Sequence, residues 1–125
     1  MIKGIGVDII DNDRFNILLK KYKNKIVKKI LSKSEIIEFE KTKNRPAFLS
    51  KRFAAKEALS KALGCGLYRS GLYPSRISVK HDKYGKPYLS LHDTLLSLIP
   101  MGSINIQLSL SDSNNQTVAF VTIEE

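Results

Sequence analysis

The run Lys51-Arg52-Phe53-Ala54-Ala55-Lys56-Glu57-Ala58-Leu59-Ser60-Lys61-Ala62-Leu63-Gly64 constrains this chain more than any other stretch. It is rich in Ala and Leu, has no Pro and no internal Gly, and closes on Gly64, the pattern of a helix ending in a left-handed C-cap. Asn44-Arg45-Pro46 marks the boundary before it, because Pro fits the first turn of a helix, where a missing N–H is no loss. Helical spacing puts Phe48, Ala55, Leu59 and Ala62 on one apolar face, with Glu57 and Lys61 one turn apart on the opposite face. A Glu/Lys pair at this spacing is ordinarily a weak surface ion pair. Here small Ala residues surround it, and a second isolated carboxylate, Asp8, stands near the end of a glycine-containing apolar stretch.

That stretch, Ile2 to Ile10, reads as a mostly buried strand of β-branched residues with two glycines. A buried, unpaired Asp8 would be costly, so it must meet a cation, a donor or water. Asp11 or Asn12 already serves to cap the next helix, which leaves Asp8 for function. From Asp13 to about Lys21 the spacing of Phe15, Leu18, Leu19 and Tyr22 predicts a helix. A short helical turn follows, with Ile26, Val27, Ile30 and Leu31 inward and Lys25, Lys28 and Lys29 outward. Ser32-Lys33-Ser34-Glu35 is a capping box opening a further helix, with Ile36, Ile37 and Phe39 as its apolar stripe.

Beyond the long helix, Gly64 to Gly71 is a glycine-punctuated loop, of the kind that lets a backbone approach a phosphate closely. Ile77–Lys80 and Tyr88–Leu91 read as two strands around a turn at Asp82 to Pro87. Leu95, Leu98 and Ile99 suggest a short helix ended by Pro100 and Gly102. Ile104–Leu108 and Val118–Ile123 close the chain as strands around a polar turn at Ser111 to Gln116. His81 and His92 read as surface residues.

The length of 125 residues predicts a single domain over 1–125, with a modest core. No apolar run approaches the roughly 18 residues that a membrane span needs. The strand pattern begins at once at the N-terminus, so no signal peptide is expected. Cys65 is the only cysteine, which excludes an internal disulfide and a thiolate zinc cluster and points to a reducing, cytoplasmic setting. The net charge of +9 is concentrated: Lys20 to Lys61 holds 14 Lys/Arg against 4 Asp/Glu. Such a block implies an acidic partner: nucleic acid, an anionic membrane or an acidic protein.

Asp8 and Glu57 suit magnesium, which is usually held by one or two carboxylates, with water and substrate phosphate completing an octahedron. Lys61, one turn from Glu57, can reach a phosphate oxygen as a point charge. A metal and an ammonium beside a pyrophosphate are minimal equipment for phosphoryl transfer, where positioning and charge neutralisation dominate.

Four motifs occur in order: Gly6-Val7-Asp8-Ile9; Arg52-Phe53-Ala54-Ala55-Lys56-Glu57-Ala58 followed by Lys61-Ala62-Leu63-Gly64; Gly85-Lys86-Pro87; and Leu108-Ser109-Leu110-Ser111-Asp112-Ser113. Together they make the whole chain resemble the small phosphopantetheinyl transferases of the holo-[acyl-carrier-protein] synthase type. The resemblance implies an α+β fold, a long helix packed on a small, mainly antiparallel sheet. It implies an enzyme of fatty-acid biosynthesis that moves 4'-phosphopantetheine from coenzyme A to a serine of an acidic apo acyl carrier protein and releases 3',5'-ADP. By the same resemblance Asp8 and Glu57 hold Mg2+, and Glu57, directly or through a metal-bound water, helps take the serine proton. Lys61 stabilises phosphate charge, and Gly64, Lys86 and Pro87 line the nucleotide site. The family works as a homotrimer with sites between subunits, where Ser111 and Asp112 reach a neighbour's nucleotide. Asp112 fits the branch with Asp rather than His at that position, and Cys65 stands where the family often has Thr. The carrier's positions match Arg14, Lys21, Lys25, Ile26 and Lys29. The rival reading, a basic nucleic-acid-binding module, explains the charge but not the placement of Asp8 and Glu57. The chain also has no Trp and lacks an RNP-type aromatic strand or zinc-finger spacing.

Overall fold

The computed structural model describes residues 1–99 and 104–125. The elements run β1 (Ile2–Asp11), α1 (Asn12–Tyr22), α2 (Asn24–Ile30), α3 (Lys33–Lys41), α4 (Arg45–Leu63), β2 (Ile77–His81), β3 (Pro87–Leu91), β4 (Asn105–Asp112) and β5 (Gln116–Glu124). Two 3-10 turns, Pro74–Arg76 and Asp93–Leu98, complete the set. The strands form two antiparallel sheets: a three-stranded one in the order β1-β5-β4, and the β2-β3 hairpin. The expected α+β arrangement holds, with α4 lying across β1 and β5 and the shorter helices banked against it.

Helix α4 begins and ends as its sequence dictates. Asn44 accepts from the Ala47 N–H at 3.3 Å, Pro46 lies in the first turn, and Gly64 takes φ 78°. The capping box at Ser32 and Glu35 is present in both directions. Its glutamate does more than cap, as described below. Phe15 of α1 meets Phe53 of α4 edge to face, ring centres 5.6 Å apart, and the core continues through Leu49, Leu59, Leu72, Ile77 and Val121.

Several expectations need correction. Strand β1 is not mostly buried: Ile2, Ile5, Val7 and Ile9 are exposed, and only Gly6 and Ile10 are fully covered. The glycines take the inward positions because the α4 backbone lies directly over them. A Cβ on Gly4 would come within 2.0 Å of the Ala62 carbonyl oxygen, and one on Gly6 within 1.9 Å of that of Ala58. Period-two alternation then sends the β-branched residues to the outer face. Ile37 is exposed as well, since the short α3 turns Glu35, Phe39 and part of Ile36 inward. Asp11 occupies the N-cap position of α1 without a capping bond; its carboxylate accepts from Gln116 instead, at 3.0 Å. The segment around Leu95 is a 3-10 turn, begun by His92 rather than α-helical, and the predicted stop at Pro100 and Gly102 lies outside the described residues. The polar turn near the end is tighter than expected, because pairing continues to Asp112↔Thr117.

Candidate active site

The close packing of β1 on α4 fixes one patch. Asp8 follows Gly6 on the inward face of β1, opposite Ala119 of β5. Lys61, in the last turn of α4, donates to the Val7 carbonyl at 2.8 Å and to Asp8 Oδ1 at 3.1 Å. The Asp8 carboxylate is largely covered, whereas Lys61 remains half exposed. Asp8 therefore has the cation that its position demanded.

Glu57 stands one turn before Lys61, half-buried, with the Ser60 hydroxyl donating to its main-chain carbonyl at 2.7 Å. Its carboxyl is pushed above the usual carboxylate range, first by burial and then by the negative charge of Asp8; Lys61 and Arg14 pull in the other direction. Two carboxylates and two cations thus share one neighbourhood. The mutual repulsion of Asp8 and Glu57 is what a divalent cation would relieve. No group of three or more His, Cys, Asp or Glu side chains gathers for a metal among the described residues. A metal held here would complete its shell from water and a phosphate, which fits Mg2+.

The sequence singled out Arg14 for a different purpose. Its guanidinium lies 5.8 Å from the Phe15 ring centre and 5.5 Å from that of Phe53, while its charge is felt by Glu57. Lys25, Ile26 and Lys29 line a groove of about 530 Å3 with Leu18 and Tyr22, between α1 and α2. Lys21 reaches over the Tyr22 ring at 5.2 Å. The expected carrier positions are therefore brought together, beside the Glu57 patch.

The expected nucleotide residues are not gathered in the same way. Gly64 caps α4 immediately beyond Lys61. Lys86, at the tip of the β2-β3 hairpin next to Pro87, donates to Gln107 of β4 at 3.3 Å. Asp112 pairs with Lys51 at 3.3 Å, near Phe48, Arg52 and His81, and Ser111 is exposed beside it. Neither Lys86 nor Asp112 makes a hydrogen bond or ion pair with Asp8, Glu57 or Lys61 among the described residues. Asp8 lies on β1 and Asp112 on β4, at the two edges of the three-stranded sheet, while Lys86 belongs to the turn of the separate β2–β3 hairpin.

A buried ionic network adjoins Glu57 and was not read from the sequence. Lys56 is fully buried; its ammonium donates to the Ile30 carbonyl at 2.6 Å and to Glu35 Oε1. Glu35 also accepts from the N–H of Ser32 at 2.9 Å and of Val79 at 3.0 Å. Arg52 donates to the Val79 carbonyl and to Glu38 at 2.9 Å. Burial lowers the Lys56 pKa from 10.5 to about 8, against the pull of Glu35. The network ties the end of α2, the start of α3, α4 and β2 to one another. Its signal was available, because helical spacing sets Arg52 about 20° from Leu59 and Lys56 about 20° from Leu49, inside the apolar arc. Tyr68 is a second residue that the sequence did not single out. Its phenol pKa is raised by burial and by the charge of Glu57.

Comparisons with known proteins place the whole chain in one family. Residues 4–121 match the family model of the 4'-phosphopantetheinyl transferase superfamily. The chain is 42% identical over its whole length to a holo-[acyl-carrier-protein] synthase of Nitrosospira multiformis, which is covered completely. Among solved structures it is similar to a holo-[acyl-carrier-protein] synthase from Neisseria meningitidis, with TM-score 0.93, 36% identity and complete coverage of both chains. It is also similar to one from Bacillus anthracis in complex with CoA (3',5'-ADP), with TM-score 0.82, 35% identity and coverage of 100% and 98%.

Proposed function

This chain belongs to the holo-[acyl-carrier-protein] synthases of the 4'-phosphopantetheinyl transferase superfamily, and from that premise we propose that residues 1–125, taken as one transferase domain, carry out a Mg2+-dependent transfer from coenzyme A. The 4'-phosphopantetheine goes to a serine of an acidic apo acyl carrier protein, and 3',5'-ADP is released. The observation that carries the reading is the convergence of Asp8, Glu57 and Lys61 at the β1–α4 contact, beside the basic groove of α1 and α2.

In the reaction the serine oxygen forms a bond to the β-phosphorus, the bond from that phosphorus to the oxygen of 3',5'-ADP breaks, and the serine proton must leave. Glu57, half-buried near Asp8 and one turn before Lys61, is the group assigned to help take it, directly or through a water. Lys61 sits where it can turn from Asp8 towards a phosphate oxygen and offset the charge that develops there. Asp8 and Glu57 would hold the Mg2+, which, when bound, would neutralise pyrophosphate charge and align it for in-line displacement. Gly64, Lys86, Pro87, Ser111 and Asp112 are assigned to the nucleotide.

The separation of Asp112 and Lys86 from Lys61 supports a site shared between subunits. The outer face of the sheet offers an interface, since Ile5, Val7, Ile9 and Phe120 are all exposed. An apolar surface of this kind is what a homotrimer would cover. Arg14, Lys21, Lys25 and Lys29, with Ile26, would receive the acidic carrier; exposed complementary charges mainly speed and orient encounter. No helix among the described residues is long and apolar enough to cross a membrane, and a cytoplasmic setting suits the proposed partners.

Mass spectrometry of apo carrier protein incubated with coenzyme A, magnesium and the enzyme tests the reading. A gain of one phosphopantetheine, abolished by chelation, is expected. An unmodified carrier would refute the transfer, and modification that survives complete chelation would refute the metal. Light scattering should give three protomers, and a monomer would remove the shared site.

A further inference from the structure

Tyr68 follows the α4 cap in a loop whose backbone is unusual. Tyr68 has φ 69°, Ser70 55° and Gly71 81°, so three of four consecutive residues from Tyr68 are left-handed, two of them not glycine. A bulky aromatic residue is rarely found there, and it persists only where the surroundings hold it. They do so here. The Tyr68 N–H donates to the Leu72 carbonyl at 2.9 Å, and the Leu72 N–H donates back to that of Arg69 at 3.0 Å. Leu72 itself is fully buried and anchors the loop.

The locked backbone holds the Tyr68 ring at the surface, 42% exposed. Tyr73 meets it edge to face with ring centres 6.1 Å apart, and the Lys29 ammonium lies 5.3 Å from its centre. Lys29 belongs to the basic groove of α2. The charge of Glu57 is also felt at the phenol. The ring therefore borders the basic groove through Lys29 and lies within electrostatic reach of the Glu57 patch. A carrier seated at Arg14, Lys25 and Lys29 would present its acceptor serine beside this ring. An exposed cation over an aromatic face gains little by itself, so the contact does not explain a strained loop.

We propose that Tyr68 is a positioning residue for the carrier substrate: its ring, held by the left-handed loop and flanked by Lys29, forms the wall that directs the acceptor serine to Glu57. The inference rests on the carrier-transfer reading above and adds a residue that no motif of the chain marks. Its proposed role is on the carrier side, and it is not among the side chains assigned to the nucleotide, so coenzyme A affinity is the readout that separates this role from one of the loop towards phosphate.

The test is steady-state kinetics and calorimetry on Tyr68→Gly, Tyr68→Asn and Tyr68→Phe. Gly and Asn both tolerate the left-handed backbone, so neither should melt below the parent. At saturating carrier protein the turnover number should fall about ten-fold in both, because a misplaced acceptor is felt after binding. The dissociation constant for coenzyme A should stay within about two-fold of the parent, and Tyr68→Phe should recover most of the rate, since it keeps the wall. Combined with Lys29→Met, Tyr68→Gly should show a loss smaller than the product of the single losses. Turnover of the Gly and Asn variants within two-fold of the parent overturns the proposal. So does a parallel loss of coenzyme A affinity, or a loss shared in full by Tyr68→Phe, which would assign the effect to the hydroxyl. A parent enzyme that transfers nothing to the carrier overturns the site reading as well, whereas an active parent matched by its variants overturns the role of Tyr68 alone.

Discussion

Replacing Gly6 by Ala tests whether the β1–α4 contact sets the geometry of the site. The new Cβ would lie 1.9 Å from the Ala58 carbonyl oxygen, 2.8 Å from the Ala62 nitrogen and 2.9 Å from the Ala58 carbonyl carbon. A carbon and a carbonyl oxygen are comfortable at about 3.4 Å, so the strand and helix must part by roughly 1.5 Å. No side chain can swing aside, because all three atoms are main chain and belong to the hydrogen-bonded ladder of α4. Overpacking ordinarily costs 1–3 kcal/mol, and a clash with backbone sits at the upper end, at about 3 kcal/mol. For a chain of this size that corresponds to a melting temperature lower by roughly 12 °C. Asp8 lies two residues along the same face, so it is carried away from Glu57 and Lys61. A displacement near 1 Å in such a constellation costs about 100-fold in rate. Gly66→Ala is the control, because its Cβ would meet only the Arg69 side chain, no nearer than 3.4 Å. Thermal melts and carrier-modification rates of both variants decide the matter. If Gly6→Ala melts within about 2 °C of the parent and turns over at about half its rate or better, the argument from close approach fails.

Glu57→Gln keeps the shape and loses the charge, so turnover should fall by at least about 100-fold with the circular dichroism spectrum unchanged; near-normal turnover would remove both assigned roles. Asp8→Asn should lower the Glu57 pKa, because the negative charge of Asp8 helps to hold it up; carboxyl NMR titration of the metal-free protein reads this directly, and an unchanged value would separate the two groups. Changing Lys25 and Lys29 to Glu should slow the reaction with carrier while leaving coenzyme A affinity intact. Added salt should bring the parent towards the variant as the Debye length falls to about 8 Å at physiological strength; insensitivity of the parent to salt would count against charge-guided docking. Lys56 offers a prediction in pH. Its folded pKa of about 8 lies below the ordinary 10.5, so the unfolded chain binds the additional proton between those values. Stability from this group therefore rises with pH across that window, by a total of ~3 kcal/mol. Urea midpoints of the parent and Lys56→Met should diverge in the parent's favour from pH 8 to 10.5; convergence would mean that Glu35 holds the ammonium more firmly than burial weakens it.

Local signals were strong enough to place most elements and to mark the family to which the chain belongs. The Pro46 start and Gly64 stop of α4, the Ser32–Glu35 capping box and the Asp82–Pro87 turn each depend on a few neighbouring residues, and each formed where its sequence placed it. The one-turn spacing of Glu57 and Lys61 and the isolated Asp8 were legible for the same reason, whereas the bond that Lys61 makes to Asp8 came from the fold. Tertiary packing decided what no local rule contains. Apolar alternation shows that β1 has two faces, but not which face the helix will cover. The answer came from Gly4 and Gly6, since only glycine lets the α4 backbone lie at that distance, and it turned Ile5, Val7 and Ile9 outward. The sequence offers Glu35 as a capping residue and gives Lys56 no partner. They are buried because residues 21 apart meet with their charges and hydrogen bonds matched, an arrangement that exists only once α2, α3, α4 and β2 have assembled. The contact of Tyr68 with Lys29 has the same origin, because the loop after α4 and helix α2 become neighbours only through the fold. Composition and spacing thus determined which residues this chain could use, and three-dimensional packing determined which of them stand together.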